Sequence, residues 1–174
     1  MTAGADHRPV VAYIGLGANL NDPVSQLLRA RQELSQNANL RELAFSSLYR
    51  SAPMGPQDQP DYVNAVMAVE TRLAPEPLLA LLHEVENAHG RTRVGDHWGP
   101  RTLDLDLLLY GSETVATPTL RVPHPGLGER EFVLVPLLEI APSLTLPDGQ
   151  PLSDLILTCP RRESPLIRIE ETGV

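Results

Sequence analysis

The chain reads as an α+β domain in which an antiparallel sheet carries both helices on one face. Three observations lead there. Strand-length apolar runs recur at Val10 to Leu16, Leu43 to Tyr49, Tyr62 to Leu73 and Leu103 to Tyr110. Two segments with apolar residues at helical spacing interrupt them, giving the order strand, helix, strand, strand, helix, strand. The 174 residues, 42% of them hydrophobic, are enough for one domain with a sizeable core.

Val10 to Leu16 is expected as a buried strand, and Gly15-Leu16-Gly17 as a tight strand exit. Leu20 stands where a third phosphate-loop glycine would be, and no Walker lysine follows. Asp22 then suits a helix cap with Pro23 in the first turn, and Leu27, Leu28, Arg31 and Leu34 continue at helical spacing. Leu43 to Tyr49 is the second strand. In the third, Tyr62 to Leu73, Val63, Ala65, Met67 and Val69 alternate against Tyr62 and Asn64, after a Pro/Gly/Gln loop from Pro53 to Pro60. The second helix runs from Glu76 to His89 on a stripe of Leu78, Leu81, Leu82 and Val85, with Gly90 as its stop. Leu103 to Tyr110 closes a βαββαβ, ferredoxin-like core whose other sheet face is left for ligands. Residues 1–174 read as a single domain, with 1–9 as a flexible N-terminal tail.

A net charge of −8 argues against nucleic-acid or anionic-membrane binding, which need an extended basic surface. The lone Cys159 provides no internal disulfide, fits a reducing compartment and reads as an unreactive bystander. Asp6, His7 and Arg8 stand where a signal peptide would be apolar, and no apolar run approaches a spanning length, so a soluble, cytoplasmic protein is expected.

The chemistry concentrates in Trp98 to Tyr110. A two-residue strand period puts Asp104 and Asp106 on one face with Cα atoms about 7 Å apart. Carboxylates set among Leu103, Leu105, Leu107, Leu108 and Leu109 call for a hard cation, although a solvated edge pair is the bland alternative. Arg91, Arg93 and Arg101 lie just upstream, and a metal with several arginines beside two carboxylates suits polyphosphate.

The run from Trp98 through Asp106, with Arg91 and Arg93 ahead of it, resembles the signature of the 6-hydroxymethyl-7,8-dihydropterin pyrophosphokinase family of folate biosynthesis. Tyr49 to Asn64, Val11 to Leu20 and Val122-Pro123-His124-Pro125 are similar to further blocks of that family, in the expected order. The resemblance implies the same core, with a hairpin or extra strands and one or two short helices added after Ser112. It implies transfer of pyrophosphate from MgATP to the pterin hydroxymethyl group with release of AMP. It also implies two Mg²⁺ ions on Asp104 and Asp106, and Arg91 and Arg101 as catalytic donors. Arg93, Trp98, His83, Glu86, Leu107, Arg121, His124 and Arg130 match positions on the nucleotide side. Ser51, Ala52, Met54, Tyr62, Asn64 and Phe132 match the pterin side, Tyr62 and Phe132 as a sandwiching aromatic pair. Family members commonly carry further basic residues where this sequence has Val94 and His97, and frequently an aromatic hydroxyl where it has Pro125. ATP and the pterin are the implied partners, neighbouring folate-pathway enzymes being left open. A metal-dependent phosphohydrolase and a non-catalytic ferredoxin-like binding module stand as alternatives.

Overall fold

In the computed structural model, which describes residues 8–20, 22–51, 61–89, 103–160 and 166–169, the expected core is present with additions. Chain order is β1 (Val10–Ala18), α1 (Pro23–Gln36), β2 (Leu40–Phe45), β3 (Leu48–Ser51), β4 (Tyr62–Thr71), α2 (Pro75–Ala88), β5 (Asp104–Tyr110), β6 (Val115–Ala116), β7 (Arg121–Val122), α3 (Glu131–Ile140), α4 (Leu152–Thr158) and β8 (Ile167–Ile169). The main sheet runs β5-β1-β4-β3-β8, with β2 on the same side of β4 as β3. β6 and β7 form a separate hairpin.

The second strand departs from expectation. It begins at Leu40 and is broken into β2 and β3 at Ser46 and Ser47. There Ser46 N–H donates to the Val66 carbonyl (2.9 Å), while the Ser46 hydroxyl accepts the Val66 N–H (2.9 Å). A side-chain oxygen thus stands in for a backbone one, and the ladder continues through a corner.

In α1 the buried stripe is Leu27, Ala30 and Leu34 with Gln26, whereas Leu28, expected on the stripe, is 37% exposed. Arg31 instead reaches Glu42 on β2 through two bonds of 3.1 and 2.9 Å and lies over the Phe45 ring. Asp22 precedes the helix but makes no side-chain cap; its carboxylate accepts the Ser25 hydroxyl at 2.9 Å. α2 starts at Pro75 and buries Leu78, Leu81, Leu82 and Glu86. Gly90, its expected stop, lies outside the described residues.

The sheet face expected to be open is partly covered. One core joins the sheet to α1 and α2 through Ile14, Leu27, Leu34, Met67, Leu78 and Leu82. A second core packs Val66, Leu108 and Leu109 against Leu134, Leu137 and Leu152 of α3 and α4. β5 serves both by alternation, and a shift in its register with β1 adds a residue to the second: Ile14 pairs with Leu107 and Tyr13 with Leu109, leaving Leu108 as an extra residue so that Leu109 faces the second core as well. Leu105, Leu107 and Tyr110 enter the first core, Leu108 and Leu109 the second. At the other end of β5, Asp104 and Asp106 stay half-buried.

Candidate active site

Strand register assembles the first part of the site. Gly17 pairs with Asp104 on one side and with Asn64 on the other, and Asn64 pairs with Tyr49. Directly opposed residues share a face, so Asp104, Gly17, Asn64 and Tyr49 form one row across four strands. Asp106, Gly15 and Val66 form a parallel row on that face. Gly15 and Gly17 therefore lie within β1 rather than at a strand exit. Having no side chain, Gly17 leaves a depression between Asp104 and Asn64. A Cβ built there would come 3.1 Å from Asn64 Oδ1.

Asn64 and Ser51 are buried, and the Asn64 amide donates to the Ser51 hydroxyl at 2.8 Å. That bond sets the plane of the amide. Tyr62 opens β4 opposite Ser51, and Phe132 stands in the first turn of α3, partly buried against the second core.

The second part is a cavity of about 390 Å³ along the outer side of β5. It brings together Asp104, Asp106 and Leu107 of β5, His83 and Glu86 of α2, and Arg121 and His124 from the β7 end. His83 and Glu86 are three residues apart and so share a helix face. Glu86 is only 1% exposed, and its carboxylate accepts the Leu105 N–H at 2.7 Å, which ties α2 to the outer strand between the two aspartates.

His124 is oriented from both sides. Its backbone N–H donates to the Leu108 carbonyl (3.0 Å), and its Nδ1 accepts the Gly126 N–H (3.0 Å). The ring proton of the neutral tautomer is therefore on Nε2, 3.9 Å from Asp106 Oδ1. Burial and then the Arg130 charge push the imidazole below its ordinary pKa, with Asp104 opposing. Arg130 is not part of the cavity wall; it precedes α3 and packs on Gly126.

The sequence reading missed the opposite wall, Thr117, Pro118, Thr119 and Leu120 of the β6–β7 hairpin, together with Leu79. Thr117-Pro118-Thr119, between the apolar Val115-Ala116 and Leu120, was the available turn signal. Glu76, in the first turn of α2, accepts the Thr117 hydroxyl (2.8 Å) and the Thr119 hydroxyl (3.0 and 3.1 Å), fastening this wall to the helix. Ala52, Met54, Arg91, Arg93, Trp98 and Arg101 lie outside the described residues, as do Val94 and His97. Among the described residues no group of three His, Cys, Asp or Glu side chains could hold a metal, and no helix is long and apolar enough to cross a membrane. Cys159 is buried, and burial, then Glu131 and Glu129, push its thiol pKa up.

Residues 13–142 match the family model described as 7,8-dihydro-6-hydroxymethylpterin-pyrophosphokinase. A 2-amino-4-hydroxy-6-hydroxymethyldihydropteridine pyrophosphokinase of Haemophilus influenzae is 52% identical over 147 residues, covering 84% of this chain and 91% of the relative. That of Pseudomonas aeruginosa is 47% identical over 148 residues, covering 85% and 91%. Among solved structures, the HPPK-DHPS of Plasmodium falciparum with pteroate aligns at a TM-score of 0.70 and 12% identity. That alignment covers 88% of this chain and 43% of the other, so this chain spans less than half of that polypeptide and the likeness concerns the fold. With relatives this similar over most of both chains, the chain belongs to the 7,8-dihydro-6-hydroxymethylpterin-pyrophosphokinase family.

Proposed function

We propose that the protein transfers the pyrophosphoryl group of MgATP to the hydroxymethyl oxygen of 6-hydroxymethyl-7,8-dihydropterin, with the nucleotide in the cavity beside β5 and the pterin over Gly17 and Asn64. The observation that carries this arrangement is the shared row: Asp104 faces the cavity, and one glycine separates it from Asn64. Two reactants bound on either side of Asp104 would meet at the carboxylates, which is the positioning the transfer requires.

Asp104 and Asp106 fit Mg²⁺ by donor chemistry. They are hard oxygen donors, half-exposed at a cavity wall. Mg²⁺ is ordinarily held by one or two carboxylates plus phosphate and water oxygens, so a third protein ligand is not needed. Two such ions, bound with ATP, would supply charge neutralisation on the phosphate oxygens and acidify the attacking hydroxyl. In the transfer the hydroxymethyl oxygen bonds to the β-phosphorus, the bond from that phosphorus to the α–β bridging oxygen breaks, and AMP leaves carrying that oxygen. The hydroxyl proton is released in the same conversion.

The chain's own residues bind and orient. His124, neutral with its proton on Nε2, offers a donor to a phosphate oxygen beside Asp106. Arg121 and His83 add a cation and a polar group at the cavity wall. Asn64, its plane set by Ser51, can present an amide edge to the flat pterin, between Tyr62 and Phe132 as stacking faces. Arg91, Arg93, Arg101 and Trp98, with Ala52 and Met54, take the phosphate and pterin roles that the family resemblance implies.

The test is the nucleotide formed from MgATP and the pterin, resolved as AMP or ADP. Pterin-dependent AMP that falls by at least ~100-fold in Asp104→Ala is expected, as for loss of a charge-stabilising group. ADP would mean an ordinary kinase and inorganic phosphate a hydrolase. Absence of AMP from folded protein that binds MgATP would overturn the proposal.

A further inference from the structure

Glu139 occupies a position that local helix energetics disfavour. It is the penultimate residue of α3, where the exposed carbonyl end of a helix favours a cation over a carboxylate. Its surroundings supply what the helix does not. Ser47 N–H donates to both carboxylate oxygens (3.1 and 3.0 Å), the Ser47 hydroxyl donates to Oε2 (2.9 Å), and the Tyr49 hydroxyl donates to Oε1 (2.6 Å). These donors come from the corner where the second strand breaks. Burial and then the carboxylate itself push the Tyr49 phenol up to about 12, so it remains a donor across the neutral range.

The two segments joined here are the ones that carry the proposed pterin pocket. Two residues beyond Tyr49 on the same face of β3 is Ser51, which holds Asn64. At the other end of α3, ten residues and about 15 Å long, is Phe132. Pro136 lies inside α3 and has no N–H to return to the Phe132 carbonyl four residues earlier. The turn bearing Phe132 is thus held by one helical bond fewer than usual, and its placement depends more on how the rest of α3 is seated.

We infer that Glu139, through Ser47 and Tyr49, is a positioning residue that sets the separation between Phe132 on α3 and the Ser51–Asn64 pair on the sheet, and thereby the fit of the pterin. The inference rests on the pterin placement proposed above. α3 would stay docked without this latch, because Val133, Leu134 and Leu137 remain in the second core. What is lost is the registry of the pocket walls.

The experiment measures KM for the pterin and for ATP, with kcat, in Glu139→Gln, Tyr49→Phe and the double variant, alongside Ser47→Ala and Asn64→Ala. In Glu139→Gln and Tyr49→Phe the pterin KM is expected to rise about tenfold (~1.4 kcal/mol). ATP KM and kcat should stay within about twofold, and the double variant should be no worse than the worse single one, because Gln keeps only one accepting oxygen and both substitutions weaken the same Ser47–Glu139–Tyr49 set of bonds. Ser47→Ala, which keeps the backbone donor, should show a smaller shift in the same direction and covers the case in which the other variants fold poorly. Unchanged pterin KM, equal rises in both KM values, or additive effects in the double variant would overturn the inference. A wild-type pterin KM in Asn64→Ala would instead overturn the pterin placement. A large rise there beside unaffected Glu139 variants would overturn the latch alone.

Discussion

Glu86→Ala tests how the outer strand is held. Glu86 is 1% exposed and takes the Leu105 N–H at 2.7 Å, and Leu105 stands between the two aspartates on an outer strand of the sheet. Truncation leaves that buried N–H without this acceptor, which costs about 1–3 kcal/mol. The space vacated adds roughly 1 kcal/mol, partly offset because a buried carboxylate no longer has to be desolvated. A net loss of about 2–3 kcal/mol corresponds to a Tm lower by roughly 4–12 °C for a domain of this size. The assay is a calorimetric melt with amide exchange at Leu105 followed by NMR. Glu86→Gln retains an oxygen for the Leu105 N–H and should recover most of the loss, whereas Glu84→Ala, exposed on the same helix, should stay within about 0.5 kcal/mol. MgATP affinity should weaken in Glu86→Ala because Asp104 and Asp106 flank the released amide. A Glu86→Ala melt indistinguishable from wild type, or unchanged exchange at Leu105, would refute this reasoning.

Gly17→Ala places a Cβ 3.1 Å from Asn64 Oδ1, and the amide is tied to Ser51, so pterin affinity measured by calorimetric titration should fall about tenfold; Gly15→Ala, which meets only the flexible Leu108 side chain at 3.4 Å, should change it much less. Glu76→Ala unfastens Thr117 and Thr119 and should raise the KM for ATP several-fold, on the order of the ~1 kcal/mol typical of such bonds, while leaving the pterin KM alone. The Tyr49–Glu139 pair predicts a stability profile with two limits. Tyr49 is raised from 10.0 to about 12, so its contribution is lost as pH climbs above 10. The Glu139 carboxyl is held below 4.5 by its Tyr49 and Ser47 bonds against the opposing effect of burial, so its contribution is lost as pH falls below 4.5. Denaturant melts across pH should show both declines; in Glu139→Gln the acid one should vanish, while the alkaline one should only become shallower, because burial still raises Tyr49.

Much of this was legible because it is local. Asp104 and Asp106 announce themselves by their two-residue spacing in a leucine background, and α2 by Leu78, Leu81 and Leu82. Pairing is not local, and neither is what depends on it. That Gly17 lies between Asp104 and Asn64 follows only from two registers, each joining distant parts of the chain. Leu107, Leu108 and Leu109 are alike in polarity, so their alternation gives no sign of an extra residue. The Ser46 corner looks like ordinary strand until its hydroxyl is seen accepting from Val66. Glu76 and Glu139 resemble any other surface acid until their donors are known, and those donors are 41 and up to 92 residues away.

The extra residue at Leu108 turns β5 into two lengths of opposite phase. Before it, even-numbered positions carry the carboxylates and odd-numbered ones feed the core beneath α1 and α2; after it, Leu109 and Tyr110 have exchanged parity. A one-residue deletion at Leu108 would restore a uniform ladder and still leave the aspartates facing their cavity, yet Leu109 and Tyr110 would then continue the same alternation with no doubled leucine for α3 to rest on. The bulge therefore gives the strand two consecutive leucines on the aspartate side, a broader seat for α3 than alternation alone provides, and still returns Tyr110 to the core beneath α1 and α2.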